Sequence, residues 1–337
     1  MVLISLASRA GSIQLLDSRQ FLRSAGRGTG VANLCIVSPI DGVAFSVNEN
    51  ADPDVRTDHL AAIPRLHAPG SGQSLLFRKS LTLPYSSSGF SMGTWQGIYL
   101  IDLRESNGPV EVEVTCRPSW QRAEFSVMAA ARSATQLEND IGKRLPVEAG
   151  AVLVHEKHTS ASLSIGSGNL EPAMNKVVPE QWHHEFFQHT LEGPDDMTGH
   201  LKCSLLGCSA TVPFLLGVPL APVRLNEHRY AGGYGVGHHR KISLDHLPET
   251  STSFDLALSG TAEIGKELAT REGVLVNILA MDGRGGLLMG SKEAVESFQV
   301  PDEAVLARSL DWPVHAAAKG MQLWWFGGAA KLHVTPF

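Results

Sequence analysis

The sequence predicts a mixed α/β fold, present as three tandem domains within one chain of 337 residues. Three observations predict it. The length suits two or three domains. The composition, with 43% apolar and 18% charged residues, is typical of a packed globular protein. One order of expected elements also recurs at a spacing of roughly 110 residues, which is far longer than the period of a solenoid.

The recurring order is strand, helix, strand, turn and strand. It covers residues 7–55, 125–172 and 254–295, where helical runs with apolar residues at three- and four-residue spacing end near a glycine. A β-rich run follows each of them, at 35–37, 152–155 and 274–279. The predicted domains are therefore 1–118, 119–248 and 249–337, which meet in polar, turn-forming stretches. Low identity between the repeats leaves open that the shared order arose by chance.

The charge and hydropathy patterns exclude several classes of partner. The net charge of −6 gives no overall basic field for nucleic acid or acidic lipid. Apolar runs are interrupted well short of the ~18 residues that a membrane helix needs, and the N-terminus turns polar too soon for a signal peptide. The cysteines at 35, 116, 203 and 208 form no CxxC pair, which favours reduced, buried thiols. We therefore expect a cytoplasmic protein without nucleic-acid or membrane partners.

Four sequence strings carry most of the functional information. "NENADPDV" (48–55) and "GTWQGIYL" (93–100) stand in the first repeat, and "HTS" (158–160) and "HTLEGPDDMTGHLKCSLLG" (189–207) stand in the second. Together they resemble the YjbQ family, whose members are called secondary thiamine-phosphate synthases. The resemblance implies a compact α/β sandwich that assembles as a homotrimer. This chain then looks like a whole trimer in one polypeptide, and we expect a monomer.

The first two repeats retain complementary parts of the family motifs, whereas the third retains only the outline. The first repeat has Asn-Glu-Asn and Trp-Gln, but Ile40-Asp41-Gly42 stands where the family has HTT. The second repeat has all three motif histidines, but Gly166-Ser167-Gly168 replaces Asn-Glu-Asn. We therefore predict one composite site at the interface of the first two repeats.

The candidate metal ligands are His158, His189 and His200 of the second repeat. Converging imidazoles commonly hold Zn²⁺ or a related ion, so the expected cofactor is a divalent metal, Zn²⁺ or Mg²⁺. Glu192 is predicted to act as a base or ligand. Lys202 would share the face of His200 and neutralise phosphate if this segment were a strand. If the segment opens a helix, its free N–H groups could cradle an anion.

The first repeat is predicted to supply Glu49 as a general base or metal ligand, so the candidate catalytic residues are Glu49, Glu192 and Lys202. The candidate substrate-binding residues offer amide, hydroxyl or aromatic groups: Asn48, Asn50, Trp95, Gln96, Thr159 and Ser160. Trp95 is nearly as well explained as a core or interface residue.

Two acidic segments are interpreted as structural. In "ADPDV", Asp52 precedes Pro53, a pattern that predicts a helix N-cap and start. Asp195 and Asp196 follow a Gly-Pro turn, so we expect solvated turn acids with a capping role.

The resemblance implies a metal-assisted enzyme acting on a phosphorylated small molecule. The implied reaction couples a pyrimidine diphosphate to a thiazole phosphate and releases pyrophosphate, which requires cations for the leaving group and a platform for the ring. The alternative is a non-catalytic descendant of the family, either a ligand- or metal-binding module or an assembly scaffold. Loss of site residues from two of the three repeats favours this alternative.

Overall fold

The protein has a mixed α/β fold in which β-sheet predominates. The structure is a computed structural model, and it describes residues 1–23, 28–66, 70–166, 168–230, 237–248, 253–268, 273–281, 285–298, 310–312 and 320–336. The described strands form six sheets, and every pairing among them is antiparallel. Along the chain, the sheets fall into three pairs, which we call the first (2–118), second (121–248) and third (254–336) segments.

The first segment contains a five-stranded and a three-stranded sheet. Its strands are β1 (Val2–Ser8), β2 (Ser12–Leu15), β3 (Gly30–Ser38), β4 (Val43–Glu49), β5 (Ser80–Ser86), β6 (Gly89–Phe90), β7 (Gln96–Asp102) and β8 (Gly108–Pro118). The sheet orders are β1-β8-β3-β5-β6 and β2-β7-β4. Helix α1 (Pro53–Ala62) follows β4, and 3₁₀ turns cover Ser18–Leu22, Ile63–Arg65 and Gly70–Leu76.

The second segment also pairs a five-stranded sheet with a three-stranded one. Its strands are β9 (Gln121–Ala129), β10 (Ala134–Gln136), β11 (Gly150–Glu156), β12 (Ala161–Ile165), β13 (Ser209–Leu215), β14 (Val218–Pro219), β15 (Val223–Glu227) and β16 (His238–Pro248). The sheet orders are β14-β13-β11-β16-β9 and β10-β15-β12. Its helices are α2 (Glu138–Gly142), α3 (Glu171–Val177), α4 (Trp182–Glu185) and α5 (Asp196–Leu206).

The third segment contains a four-stranded and a three-stranded sheet. Its strands are β17 (Phe254–Ser259), β18 (Ala262–Glu263), β19 (Val274–Met281), β20 (Gly285–Gly290), β21 (Leu310–Trp312), β22 (Gln322–Gly327) and β23 (Ala329–Pro336). The sheet orders are β17-β23-β19-β21 and β18-β22-β20. The helices are α6 (Gly265–Leu268) and α7 (Lys292–Ser297). The β-rich runs predicted at 35–37, 152–155 and 274–279 lie in β3, β11 and β19, so these strands are confirmed.

Two hydrophobic clusters hold the three segments together. One joins residues such as Cys35, Val152 and Trp325, and another includes Ala44 and Leu201, each of them buried. Because each cluster draws side chains from all three segments, apolar burial is shared between them rather than confined to separate cores. The cysteines are free thiols, three of them buried and Cys116 half-buried. Among the described residues, no helix combines the length and apolar character needed to cross a bilayer.

The first and second segments touch through the "GTWQ" turn. A Cβ atom on Gly93 would lie 2.0 Å from the carbonyl oxygen of Lys157, so only glycine permits this approach. The side chain of Gln96 donates through Nε2 to the carbonyl oxygens of Glu156 and His158, at 2.9 and 2.7 Å. Its Oε1 accepts the backbone N–H of Gly93 at 2.9 Å. This contact places the loop that carries His158 beside the end of β4.

Candidate functional site

A cavity of about 340 Å³ lies where the first and second segments meet. Its lining side chains are largely polar, and they come from both segments: Glu49, Ala51, Asp52 and Trp95 from the first, and His158, Thr159, Ser160, His189, Glu192, Asp196, His200 and Arg229 from the second. The volume lies within the usual range for small-molecule sites. The glutamate of the first repeat and the histidines of the second thus line one cavity.

His189, Asp196 and His200 form the tightest group of potential metal ligands among the described residues. One ligand atom from each lies within 4.8 Å of the other two. Nε2 of His189 is 3.4 Å from Asp196 Oδ2, and Nε2 of His200 is 3.6 Å from Asp196 Oδ1. His158 lines the same cavity without belonging to this group. The structure therefore places a carboxylate, not a third imidazole, beside the two histidines.

The expectation that Asp195 and Asp196 are solvated turn acids is wrong. Asp196 is 1% exposed and Asp195 is 4% exposed. Neither carboxylate points into solvent, because Arg229 lies between them, with Nε 3.2 Å from Asp195 Oδ1 and Nη1 2.9 Å from Asp196 Oδ1. Asp195 stands at the N-cap position of α5, but its side chain makes no capping hydrogen bond.

Asp52 orients His189 across the segment boundary. Its Oδ2 atom lies 2.6 Å from Nδ1 of His189, while Oδ1 accepts the backbone N–H of Asp54 and caps α1, as predicted. Burial lowers the pKa of His189, but hydrogen bonds and charges from Asp196 and Asp52 outweigh it and raise the pKa to about 9. Burial opposes ionisation of Asp196 as well, yet His189, His200 and Arg229 hold the pKa of that carboxyl well below its usual range.

Asn48 orients His200 from the first segment. Its Oδ1 atom lies 2.8 Å from Nδ1 of His200 and also accepts the backbone N–H of Glu49 at 2.8 Å. Since a backbone N–H only donates, this amide atom is the oxygen, and Nδ1 of His200 must carry a proton. The other ring nitrogen of His200, Nε2, lies beside Asp196. Asn48 itself is fully buried and does not line the cavity, which contradicts the prediction that it binds substrate.

His158 has the opposite tautomer. Its Nδ1 atom accepts the backbone N–H of Ser160 at 3.3 Å, and the hydroxyl of Ser160 lies 3.1 Å from the same atom. Burial, followed by the charge of Arg240, lowers the pKa of His158 to about 3, so the ring is neutral at physiological pH. The proton of the neutral ring therefore resides on Nε2. In this geometry, His158 is a hydrogen-bond donor and not a metal ligand.

Lys202 lies on the wrong side of α5 to serve the cavity. The segment is a helix, and a separation of two residues from His200 rotates the side chain by about 200° around the axis. Lys202 is fully buried and contacts Glu171 and Asn175. Burial lowers the pKa of Lys202, although the charge of Glu171 opposes this shift. The predicted role of Lys202 with phosphate assumed a strand and is wrong.

Two further substrate-binding predictions are corrected because the side chains face the protein. Asn50 donates through Nδ2 to the backbone oxygen of Gln96 at 3.1 Å. Gln96 is 4% exposed and holds the turn described above. Trp95, by contrast, is 57% exposed at the cavity, which excludes a core role. The hydroxyl of Thr159 donates to Glu49 Oε2 at 3.4 Å, so these two residues meet at the boundary.

Arg229 and Asp52 are site residues that the sequence analysis missed. Arg229 lies in "APVRLNEHRY" (221–230), just after β15. Its guanidinium group contacts Glu192 Oε2 at 3.0 Å as well as the two aspartates. It therefore holds the 192–196 loop in place. No local pattern in the sequence signals this contact, since its partners are more than 30 residues away.

Comparison with known proteins assigns the family. A profile described as UPF0047 protein YjbQ-like matches residues 123–220, which include the three imidazoles and Asp196. The UPF0047 protein YjbQ of Salmonella typhimurium (strain LT2) is 31% identical over 130 residues, covering 34% of this chain and 91% of that protein. The UPF0047 protein YjbQ of Escherichia coli O157:H7 is 29% identical over the same length, with the same coverage. The chain belongs to the UPF0047 (YjbQ-like) family.

Solved structures of related proteins align with about a third of the chain. A yjbq/upf0047-family protein of Clostridium acetobutylicum is 22% identical and covers 35% of this chain and 100% of its own, with a TM-score of 0.31. A conserved hypothetical protein of Thermus thermophilus is 23% identical and covers 34% and 98%, also with a TM-score of 0.31.

Proposed function

We propose that the cavity is the divalent-metal site of an enzyme that acts on a phosphorylated small molecule. One observation carries the proposal. Nε2 of His200 lies 3.6 Å from one oxygen of the Asp196 carboxylate and Nε2 of His189 lies 3.4 Å from the other, so two imidazoles and one carboxylate converge in the cavity. Two imidazoles and a carboxylate that converge in this way can hold a divalent cation once the imidazole nitrogens that face it have lost their protons.

The ligand set fits a transition metal better than Mg²⁺. Two imidazoles and one carboxylate are typical of Zn²⁺ and similar ions, whereas Mg²⁺ prefers oxygen ligands. Asp52 and Asn48 hold the Nδ1 atoms of the two imidazoles, an arrangement that commonly supports metal-bound histidines. When bound, the ion would act as a Lewis acid toward a phosphoryl oxygen. His189 must lose its proton to become a ligand, so binding would release a proton.

Other lining residues provide for the remainder of a substrate. Nε2–H of His158 is a donor suited to a phosphoryl oxygen, and the hydroxyl of Thr159 holds Glu49 at the edge of the cavity. Trp95 offers an exposed aromatic face for a ring. Glu49 lies within reach of Thr159 and is the candidate general base. The family resemblance favours a thiamine-phosphate synthase-like transfer with pyrophosphate as the leaving group. A bound metal ion would supply the positive charge for that leaving group, since Lys202 does not reach the cavity.

Metal content tests the proposal. Tag-free protein is stripped with chelator, reloaded with Zn²⁺, desalted and analysed by mass spectrometry for bound metal. We expect about one ion per chain, and almost none in His200→Ala because one of three ligands is lost. His184→Ala is the matched control, since His184 is an exposed histidine outside the cavity, and it should bind as the wild type does. Reloaded wild-type protein without bound metal would refute the proposal.

A non-catalytic role is the second candidate, and a specific contact supports it. Where the first and third segments meet, a cavity is lined by Val37, Ser38, Pro39, Ile40, Asp41 and Ser291. Asp41 stands where the family has the HTT motif, and it accepts the backbone N–H of Ser291 at 3.1 Å. At this position a hydrogen bond within the protein occupies the side chain that would otherwise face a ligand. Metal binding without turnover of the pyrimidine diphosphate and thiazole phosphate pair would favour this binding-module role.

We also propose that the chain is a fused pseudo-trimer with domains 1–118, 119–248 and 249–337. The repeated sheet order supports this. In the larger sheets, β1-β8-β3-β5, β9-β16-β11-β13 and β17-β23-β19-β21 follow one plan, and the three-stranded sheets β2-β7-β4, β10-β15-β12 and β18-β22-β20 follow another. A cytoplasmic monomer that requires no nucleic acid or membrane is part of the same proposal.

A further inference from the structure

Arg229 reaches the cavity because a second arginine neutralises the carboxylate next to it. Glu227 is the last residue of β15, and its Oε1 atom accepts the backbone N–H of Arg229 at 2.9 Å. The two oxygens of Glu227 also accept Nε–H and Nη2–H of Arg240, at 2.6 and 2.8 Å. The guanidinium group of Arg229 therefore extends away from Glu227 and contacts the 192–196 loop at the cavity.

The first segment has the same local arrangement without a second arginine. Asp102 is the last residue of β7, and its Oδ1 atom accepts the backbone N–H of Arg104 at 3.1 Å. Here the guanidinium group of Arg104 folds back onto both oxygens of Asp102, at 2.9 and 2.7 Å. β8 and β16 both have 11 residues and end at a proline, and their third residues are Val110 and Arg240. Since Val110 carries no charge, Arg104 has to neutralise Asp102.

The carboxylate of Glu192 differs from the other partners of Arg229 in its exposure. Among the described residues, three carboxylates contact this guanidinium group. The side chains of Asp195 and Asp196 are 6% and 1% exposed, whereas that of Glu192 is 71% exposed. Exposed ion pairs contribute little to stability, because water competes for both charges. An incoming anion can therefore displace Glu192 from Arg229 at small cost, while the two aspartates remain in place.

We propose that Arg229 binds a phosphoryl group of the substrate, and that Glu192 occupies the same N–H groups when no substrate is bound. The exchange replaces one anion by another, so the guanidinium group gains no further negative neighbour. Arginine suits this role because its planar fork binds phosphoryl oxygens through two N–H groups. The inference deepens the proposed function and rests on it for the class of substrate. Glu192 is then a competing anion and not a general base.

Glu192→Gln tests the exchange, because it removes the charge and keeps the size of the side chain. Isothermal titration calorimetry measures the binding of inorganic phosphate to metal-free protein in chelator and to zinc-loaded protein. In both forms, we expect Glu192→Gln to bind phosphate about 5-fold more tightly than the wild type. Glu185→Gln is the matched control, because Glu185 is an exposed glutamate of α4 outside the cavity. Its phosphate affinity should differ from that of the wild type by less than about 2-fold.

A second variant shows whether Arg229 receives the anion. Arg229→Lys keeps a positive charge beside the buried Asp195 and Asp196, so the protein should still fold, but it loses the forked N–H groups. We expect phosphate to bind about 10-fold more weakly. Adding Glu192→Gln to this variant should raise the affinity by less than about 2-fold, because the two substitutions affect one contact. Circular dichroism confirms that each variant is folded.

Four outcomes separate this inference from the metal proposal. Phosphate binding in Glu192→Gln that is no tighter than in Glu185→Gln overturns the exchange. A 5-fold gain that persists beside Arg229→Lys also overturns it, since the gain would then come from the removal of charge alone. A protein that binds no zinc but shows the expected phosphate affinities refutes the metal site and leaves the exchange standing. Zinc binding without any gain in Glu192→Gln leaves the metal site standing and refutes the exchange.

Discussion

A single carboxylate can have different roles depending on what the fold brings near it. Asp52 was expected to cap α1, and its Oδ1 does so, but its Oδ2 also orients His189. The first role depends on a neighbour two residues away, which the sequence reveals. The second depends on a residue of the second segment. The same reasoning applies to Asp196. Its position after a turn predicted solvent exposure, but in the fold it is buried on α5 and bound by Arg229.

Asp58 provides a test of how the backbone of His189 is held. The fully buried carboxylate accepts the backbone N–H groups of Gln188 and His189, both at 2.8 Å to Oδ2. Asp58→Ala leaves both donors unsatisfied, and we expect a loss of about 2–4 kcal/mol in the free energy of unfolding. Asp58→Asn retains an oxygen that can accept both bonds and should lose less than half as much. Urea denaturation measures both, and equal losses would contradict this role for Asp58.

Buried titratable groups predict a stability maximum near pH 6.5 for the metal-free protein. Burial lowers the pKa values of His59, His155 and His158 to about 3. The unfolded chain therefore binds more protons below about pH 6.5, and stability falls as the pH decreases. Burial raises the pKa of Glu156 to about 8, and the pKa of His189 is raised to about 9. The folded chain then holds more protons above pH 6.5, so stability falls as the pH rises.

Thermal unfolding in chelator-containing buffers from pH 4.5 to 8.5 measures this profile. The acid side should be the steeper one. Three imidazoles act there against the single opposing carboxyl of Glu156, whereas on the alkaline side Lys79, whose pKa burial lowers to about 7, opposes Glu156 and His189. A melting temperature that increases steadily from pH 6.5 to 8.5 would contradict the assignment of the alkaline side.

At the scale of elements, the contact between the turn before β7 and the loop after β11 determines whether the cavity forms. Gly93→Ala would force a methyl group against the carbonyl oxygen of Lys157, and we expect a loss of about 2–3 kcal/mol in stability together with weaker zinc binding. Gly108→Ala is the matched control, because its added Cβ meets Arg104 Nη1 at an ordinary 3.6 Å. That variant should change stability by less than ~0.5 kcal/mol. Similar losses in both variants would show that the contact at Gly93 has no special role.

The strands were more predictable than the helix that carries the site. β3, β11 and β19 are rich in β-branched and apolar residues, and their local pattern is sufficient to identify them. Helix α5 is different, since all of its residues are buried and its apolar positions do not define one face. Both a strand and a helix therefore remained open for 196–206. That choice decided the position of Lys202, which is why its predicted role failed.

At the scale of the whole molecule, the proposed pseudo-trimer predicts the mass in solution. If the pseudo-threefold arrangement closes within one chain, each segment already has its neighbours and no further copies are required. Sedimentation equilibrium should then give the mass of one chain, 36.2 kDa. A mass about three times larger would indicate association of separate chains and would contradict the proposal.

The sequence by itself determined the positions of β3, β11 and β19, the start of α1, the family motifs and the kinds of side chain available for chemistry. These depend on residues that are neighbours along the chain, or on strings long enough to be specific. Only the tertiary structure decided which of those side chains share a cavity. The bonds that orient His189 and His200 join residues 137 and 152 positions apart, and their geometry results from how the first and second segments pack. Local preferences cannot encode such distances, because the packing of many buried side chains sets them together.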